Sequence, residues 1–136
     1  MLHGVETVEI PVRRGVPGSL GVLEFGSLDF VPQRLYWLAK VQTGEVRGNH
    51  AHKQLKQLII LISGSATVEI FRGRDAELFE LCKEGSALKV SPGLWRNIMN
   101  FSEDAVIVVV CDRPYDEGDY LRDFEEYVEW FEAHHA

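Results

Sequence analysis

The chain has 136 residues, of which 46% are hydrophobic and 26% charged, and this is enough for one domain with its own core. Its net charge of -7 argues against a general nucleic-acid binder, because binding to phosphates needs a surplus of Lys and Arg on one face. The sequence shows no membrane-spanning apolar run and no signal-peptide core, and its two cysteines lie far apart. We therefore expect a single cytoplasmic domain over residues 1–136, with free thiols.

Short strands dominate the sequence pattern. Residues 34–41 are rich in aromatic and β-branched residues, and residues 58–62 form a continuous apolar run that suits a strand buried on both faces. Further strands follow at intervals of roughly 8 to 12 residues, the spacing of an antiparallel sandwich or barrel. From Asp119, which can cap a helix, apolar residues recur at helical spacing among acids. The pattern predicts an all-β fold with a short C-terminal helix at about residues 119–133.

Two histidines, His50 and His52, lie in an alternating stretch between Gly44 and Gly64. Residues two apart on a strand point to the same face, so both imidazoles are expected to face one site. The spacing of the stretch resembles the first signature of the cupin superfamily, with Gln57 at the position where a metal-binding cupin has glutamate. The alternative is a pair of surface or core histidines without a chemical role.

A second cupin signature follows in degenerate form. Gly85, Pro92, Gly93 and Asn100 keep its turn residues, whereas Arg96 stands where a third metal-binding histidine would fall. Arginine stays protonated and has no lone pair to offer, and a neutral amide replaces a carboxylate poorly in a transition-metal site. We therefore expect a cupin with no catalytic metal and no other cofactor.

Without a metal, the two histidines are expected to act as acid and base. Imidazoles that titrate near neutral pH suit the removal of a proton from a carbon beside a carbonyl, and its return elsewhere. Such chemistry produces an enediol whose developing negative charge needs a nearby donor. Candidates by residue type are Arg96, Arg47, Tyr36 and the Gln57 amide.

Four segments carry a closer resemblance. They read RLYWL, RGNHAHKQLKQ, LWRNIMNFSED and YDEGDYLRDFEEY, and they occur in this order within residues 18–131. Together they resemble the sugar-nucleotide 3,4-ketoisomerases of deoxyamino-sugar biosynthesis, which supplies sugars of the lipopolysaccharide O-antigen type. The resemblance implies a homodimeric jelly-roll enzyme, with its barrel at about residues 18–112. It also implies action on dTDP-4-keto-6-deoxyglucose, whose keto group moves from C4 to C3 before an amino group is added.

The resemblance also implies roles for individual residues. His50 and His52 become the acid/base pair, with His52 favoured as the base that takes the C3 proton and His50 as the relay. Tyr36 is the tyrosine expected to face the sugar. The expected substrate-binding residues are Arg34, Arg47, Gln57, Arg96 and Lys53. Arg34, Arg47 and Lys53 belong to a stretch between Arg34 and Lys56 that is locally basic in an acidic chain.

Three other functions stay open from the sequence. A metal-dependent cupin enzyme would bind its ion through His50 and His52, a non-catalytic cupin would bind the sugar nucleotide without turnover, and a 3,5-epimerase would act beside the same keto group. The configuration of the product at C4 is also open. Arg96 favours the gluco form, but Pro17 stands where family members often have a side chain that reaches the sugar.

Overall fold

Alternating and apolar segments of the chain pair into antiparallel sheets. The computed structural model describes residues 1–15 and 17–135, and it has one α-helix, α1 (Phe124–His135), within that part of the chain. The strands are β1 (Val5–Glu9), β2 (Val12–Gly15), β3 (Gly18–Gly21), β4 (Arg34–Ala39), β5 (Arg47–His52), β6 (Gln57–Ser63), β7 (Ala66–Arg72), β8 (Asp75–Leu81), β9 (Ser86–Val90), β10 (Trp95–Met99), β11 (Val106–Cys111) and β12 (Tyr120–Leu121).

Two five-stranded sheets make up the body of the protein. Their orders are β1-β9-β6-β11-β4 and β12-β5-β10-β7-β8, and β2 and β3 form a separate hairpin. Ile59 and Ile107 of the first sheet share a core cluster with Val68 and Ile98 of the second, so the two sheets pack face to face. This arrangement confirms the predicted all-β jelly roll with a C-terminal helix.

Four of the five residues in the apolar run of β6 are buried, on both faces of the strand, as the sequence predicts, and only Ile62 departs from the prediction. Ile59 and Leu61 point into the core between the sheets, whereas Leu58 and Ile60 belong to a second cluster on the outer face. That outer cluster packs against Leu23 and other residues from the N-terminal part of the chain. The apolar residues 58–61 are stable here because neither face of this part of the strand meets water, whereas Ile62 at the end of the run is 43% exposed.

The helix begins later than the sequence predicts. Asp119 does not cap it but lies in a short 3₁₀ turn at Glu117–Asp119, and α1 starts only at Phe124. The carboxylate of Asp123 accepts a hydrogen bond from the backbone N–H of Glu126, which is the contact that an N-cap makes. The intervening β12 pairs with β5, and this pairing holds the chain extended where the helix was expected.

One face of α1 packs against the sheet that contains β5. Tyr127 is fully buried, and its hydroxyl accepts from the N–H of Gly73 and donates to the carbonyl of Gly93. Trp95 and Phe124 complete the aromatic contact. Among the described residues, no helix combines the length and apolar character needed to cross a lipid bilayer.

Candidate active site

The two histidine rings meet at the end of β5. Their centroids lie 4.8 Å apart in an edge-to-face arrangement, as expected for residues two apart on one strand. The ring of Tyr120 on the neighbouring β12 contacts both, at 5.0 Å from His50 and 4.4 Å from His52. The pairing of β12 with β5 therefore brings Tyr120, which is distant in the sequence, into the site.

A β-bulge aims the ring of His50. The register between β5 and β10 shifts beside Arg96, and the bulged residues Gly48 and Asn49 have positive φ angles of 101° and 58°. The bulge brings the carbonyl oxygen of Gly48 to 3.0 Å from Nδ1 of His50. A carbonyl can only accept a hydrogen bond, so Nδ1 carries the proton. In the neutral ring, Nε2 of His50 is therefore free to accept a proton.

His52 lies deeper than His50 and beside a carboxylate. Its side chain has no exposed surface, and its Nδ1 is 3.3 Å from Oδ2 of Asp119. The two atoms lack the alignment of a hydrogen bond in this structure. Contacts of this kind often tighten only when substrate binds.

A chain of polar side chains crosses the interior next to the histidines. Arg96 is 2% exposed, and it donates to Oε1 of Gln57 and to the carbonyl of Leu94. The Gln57 amide in turn lies 3.3 Å from the hydroxyl of Tyr36. Among the described residues, no carboxylate lies within 4.0 Å of the Arg96 guanidinium, and its Nε has no partner. The site thus holds a buried positive charge without a negative counterpart.

Burial and this charge shift the pKa values of both histidines. Burial first, and then the Arg96 guanidinium, lower the pKa of His50 from 6.5 to about 4. The same two causes lower the pKa of His52 to about 2, with a further contribution from His50. Burial also raises the pKa of the Tyr36 phenol and lowers the pKa of Arg96. Both histidines are therefore neutral at pH 7.

An open cavity leads to the histidines. Its volume is about 480 Å³, and the polar side chains that line it are those of Arg34, Tyr36, Arg47, His50, Tyr120 and Arg122. A smaller cavity of about 70 Å³ continues inward between His50, Gln57 and Arg96. The Arg34 guanidinium lies 5.0 Å from the ring centroid of Tyr36 and 5.3 Å from that of Tyr115. The cavity therefore has a cationic entrance and an acid/base interior.

Most of the site residues predicted from the sequence lie together around the two cavities. Lys53 does not, because its side chain is exposed and lines neither of the two cavities. Asp119, Tyr120 and Arg122 were missed as site residues. The segment YDEGDYLRD contains all three, and it was available as a signal because it belongs to the family-like segments.

The donor set does not fit a metal ion. Within residues 1–15 and 17–135, no group of three or more His, Cys, Asp or Glu side chains is placed to hold one. Gln57 and Arg96 occupy two of the positions where a metal-binding cupin has ligands, and they are hydrogen-bonded to each other. The arrangement suits proton transfer beside a developing anion.

Comparison with known proteins identifies the family. The family model FdtA, described as WxcM-like, C-terminal, matches residues 3–132. The TDP-4-oxo-6-deoxy-alpha-D-glucose-3,4-oxoisomerase of Aneurinibacillus thermoaerophilus is 32% identical over 111 residues, which cover 81% of this chain and 80% of that protein.

Solved structures agree with this match. The sugar 3,4-ketoisomerase QdtA of Thermoanaerobacterium thermosaccharolyticum, in complex with TDP, has a TM-score of 0.94 at 28% identity and covers 100% of both chains. A His-to-Asn mutant of QdtA was solved with TDP-4-keto-6-deoxyglucose. The TDP-quinovose 3,4-ketoisomerase WlaRB of Campylobacter jejuni has a TM-score of 0.86 at 29% identity, covering 94% of this chain and 99% of WlaRB. The chain belongs to the FdtA family and is similar to these 3,4-ketoisomerases.

Proposed function

We propose that this protein converts dTDP-4-keto-6-deoxyglucose into the dTDP-3-keto-6-deoxyhexose by metal-free proton transfer between C3 and C4. The observation that carries the proposal is the pair of neutral imidazoles beside the unpaired, buried guanidinium of Arg96. The 3,4-ketoisomerase relatives, one of them solved with the same keto sugar, support the choice of substrate. The product would serve the addition of an amino group in deoxyamino-sugar biosynthesis, as in O-antigen sugars.

The reaction needs two proton transfers and no external oxidant or reductant. A base takes the hydrogen on C3 as a proton, the C3–H electrons form the C3–C4 double bond, and the C4 carbonyl oxygen becomes the enediolate oxygen. The C3 hydroxyl then loses its proton and the C3 carbonyl forms, while C4 accepts one proton and the C4 oxygen accepts the other to become the C4 hydroxyl. Arg96 is placed to stabilise the enediolate, because a preorganised charge in a buried site acts most strongly on charge that develops in the transition state.

The cavity geometry favours His50 as the group that exchanges protons with carbon. His50 lines both cavities and keeps Nε2 free, whereas His52 lines neither and lies beside Asp119. We therefore assign the C3 proton to His50 and the relay to His52, which reverses the order suggested by the sequence. The low pKa of His50 rises when the anion forms nearby, because an opposite charge favours the imidazolium.

The cationic entrance is proposed to hold the pyrophosphate. Arg34 and Arg47 line the cavity, and one guanidinium nitrogen of Arg34 is buried with no hydrogen-bond partner in the described part of the chain. Arginine suits this role because its planar fork matches phosphate oxygens. Arg122 is already held by two hydrogen bonds to Glu117, and Lys53 is left out because it lies outside the cavity.

The proposal includes a homodimer formed through the outer face of the sheet that contains β4. Leu35 and Trp37 alternate with Tyr36 on this strand and are 50% and 68% exposed, and Trp37 also reaches the edge of the cavity. Ile62 on β6 is 43% exposed and belongs to the same sheet. An exposed apolar face at an unpaired sheet edge fits a second copy of the chain. We also place the protein in the cytoplasm, where Cys82 and Cys111 would stay free thiols, as they are here.

The test is NMR of dTDP-4-keto-6-deoxyglucose incubated with the protein, with and without a chelator. Formation of the 3-keto sugar that survives the chelator supports the proposal. Carbonyl migration lost to the chelator, with metal bound to the purified protein, would instead assign a metal-dependent cupin. Exchange at C3 or C5 without migration would assign an epimerase, and an unchanged spectrum despite binding would assign a sugar-nucleotide sensor.

A further inference from the structure

Asp119 connects its own turn to residues 53–55 at the rear of the site. The residue is 7% exposed and ends the 3₁₀ turn that precedes β12. Its Oδ1 accepts from the N–H of Gln54 at 2.7 Å, and its Oδ2 accepts from the N–H of Leu55 at 3.2 Å. Its backbone carbonyl accepts from the N–H of Lys53 at 3.0 Å. The backbone N–H groups of Gln54 and Leu55 therefore fix the position of the carboxylate without the help of any side chain.

The nearest ring nitrogen to this fixed carboxylate is Nδ1 of His52. The distance from Oδ2 is 3.3 Å, and neither ring nitrogen of His52 has a hydrogen-bond partner among the described residues. Because the ring has no exposed surface, water does not compete for it from the protein exterior. The 3.3 Å separation is within hydrogen-bond distance, so the carboxylate is the acceptor available to Nδ1–H.

We propose that Asp119 is a positioning residue that keeps the proton of neutral His52 on Nδ1 and leaves Nε2 free. A carboxylate only accepts hydrogen bonds, so it favours the tautomer whose Nδ1 bears hydrogen. The Gly48 carbonyl imposes the same tautomer on His50. The site therefore presents two imidazoles in the same form, each fixed by an acceptor behind it. The effect on turnover rests on the proposed isomerase function, whereas the tautomer does not.

The first test measures the tautomer directly in the protein without substrate. Long-range ¹H–¹⁵N spectra of the histidine rings distinguish a protonated Nδ1 from a protonated Nε2, and the His52 signals are assigned by their loss in His52→Asn. We expect His52 of the wild type to carry its proton on Nδ1. A wild-type His52 with Nδ1 unprotonated overturns the proposal, and this result does not depend on how any variant folds.

The second test is Asp119→Asn, with Asp112→Asn as the matched control. Asp112 also accepts a backbone N–H from the segment between β5 and β6, that of Lys56 at 2.9 Å, but it is not paired with a histidine. In Asp119→Asn we expect the proton of His52 to leave Nδ1, and kcat to fall by about tenfold or more with KM changed by less than about threefold. Asp112→Asn should keep the tautomer and kcat.

The two kinds of failure are distinguishable. If Asp119→Asn keeps the tautomer of His52, or matches Asp112→Asn in kcat, the positioning role is wrong. If the wild type does not isomerise the keto sugar but the tautomer depends on Asp119 as described, only the proposed function fails. Loss of TDP binding together with loss of kcat in Asp119→Asn alone would show a structural role and would also overturn the proposal.

Discussion

Arg96 donates a hydrogen bond to the side-chain oxygen of Gln57 in the buried interior of the protein. These are two of the positions where a metal-binding cupin has ligands, and the pair leaves the guanidinium charge without a carboxylate within 4.0 Å among the described residues. A buried charge of this kind costs stability unless an anion compensates it. The enediolate of the proposed reaction is such an anion.

Replacement of Arg96 by methionine should separate activity from stability. We expect kcat of Arg96→Met to fall by about 10²-fold or more, because the donor for the enediolate is removed. Thermal stability should change by less than about 1 kcal/mol, because the relief of an unpaired buried charge offsets the lost hydrogen bonds. Steady-state kinetics and thermal denaturation measure both, with the exposed Arg74→Met as control. A kcat close to that of the wild type would contradict the assigned role.

The pH dependence of activity should reflect the low pKa of His50. With a folded-state pKa of about 4, His50 stays neutral and able to accept a proton well below pH 6. We expect kcat/KM to show no acidic limb near pH 6.5 and to stay level from pH 8 down to about pH 5.5. A limb with a midpoint between about 6 and 7 would mean that the base is not buried as described.

The same shift makes folding stability depend on pH. The pKa of His50 in the folded protein lies below its ordinary value of 6.5, so the unfolded chain binds the proton more readily. The contribution of neutral His50 to the free energy of unfolding is therefore complete above pH 6.5 and is lost as pH falls through 4. The loss amounts to about 3 kcal/mol at most. Denaturant unfolding at several pH values measures it, and the pH slope should be smaller in His50→Asn. An equal slope in both proteins would argue against the shift.

The bulge beside His50 should tolerate only glycine at position 48. A Cβ there would lie 2.7 Å from the carbonyl oxygen of Arg96, and φ is +101°. We expect Gly48→Ala to lose about 2 kcal/mol or more of stability and to lower kcat, because the Nδ1 acceptor of His50 moves. Gly26→Ala is the control, since a Cβ at Gly26 meets nothing within 4 Å. Equal stability of the two variants would show that the bulge can relax.

The exposed apolar face should determine the oligomeric state. We expect the wild type to be a dimer and Trp37→Glu to be a monomer, as measured by light scattering after size exclusion. Leu78→Glu is the matched control, because Leu78 is 58% exposed on the opposite sheet. A dimer that survives Trp37→Glu but not Leu78→Glu would place the interface on the other side of the molecule.

Local sequence patterns predicted the strands and the histidine pair, but they did not predict the contacts between residues that are distant in the sequence. The alternation around His50 and His52 is a property of one strand, and its period of two fixes which residues share a face. The contact between His52 and Asp119 depends on the pairing of β12 with β5, which no local pattern specifies. Asp119 also resembles a helix cap by residue type, so its sequence context pointed to the wrong role.

The roles of the two histidines show the same limit. Sequence spacing placed both on one face, but their depths differ because the bulge at Gly48 turns His50 toward the cavity. A bulge depends on strand register, and register is set by the partner strand. The exposure of Lys53 likewise follows from where β5 ends and not from its position next to His52.

The most direct measurement is the incorporation of deuterium from deuterated water into the keto sugar, compared between the wild type and His50→Asn. We expect the wild type to give a 3-keto sugar that carries deuterium at C4, which also reports the configuration there. His50→Asn should bind TDP with an affinity within about threefold of the wild type but show neither exchange nor carbonyl migration. Exchange that persists in His50→Asn at the wild-type rate would contradict the central claim that this imidazole exchanges protons with the sugar carbons.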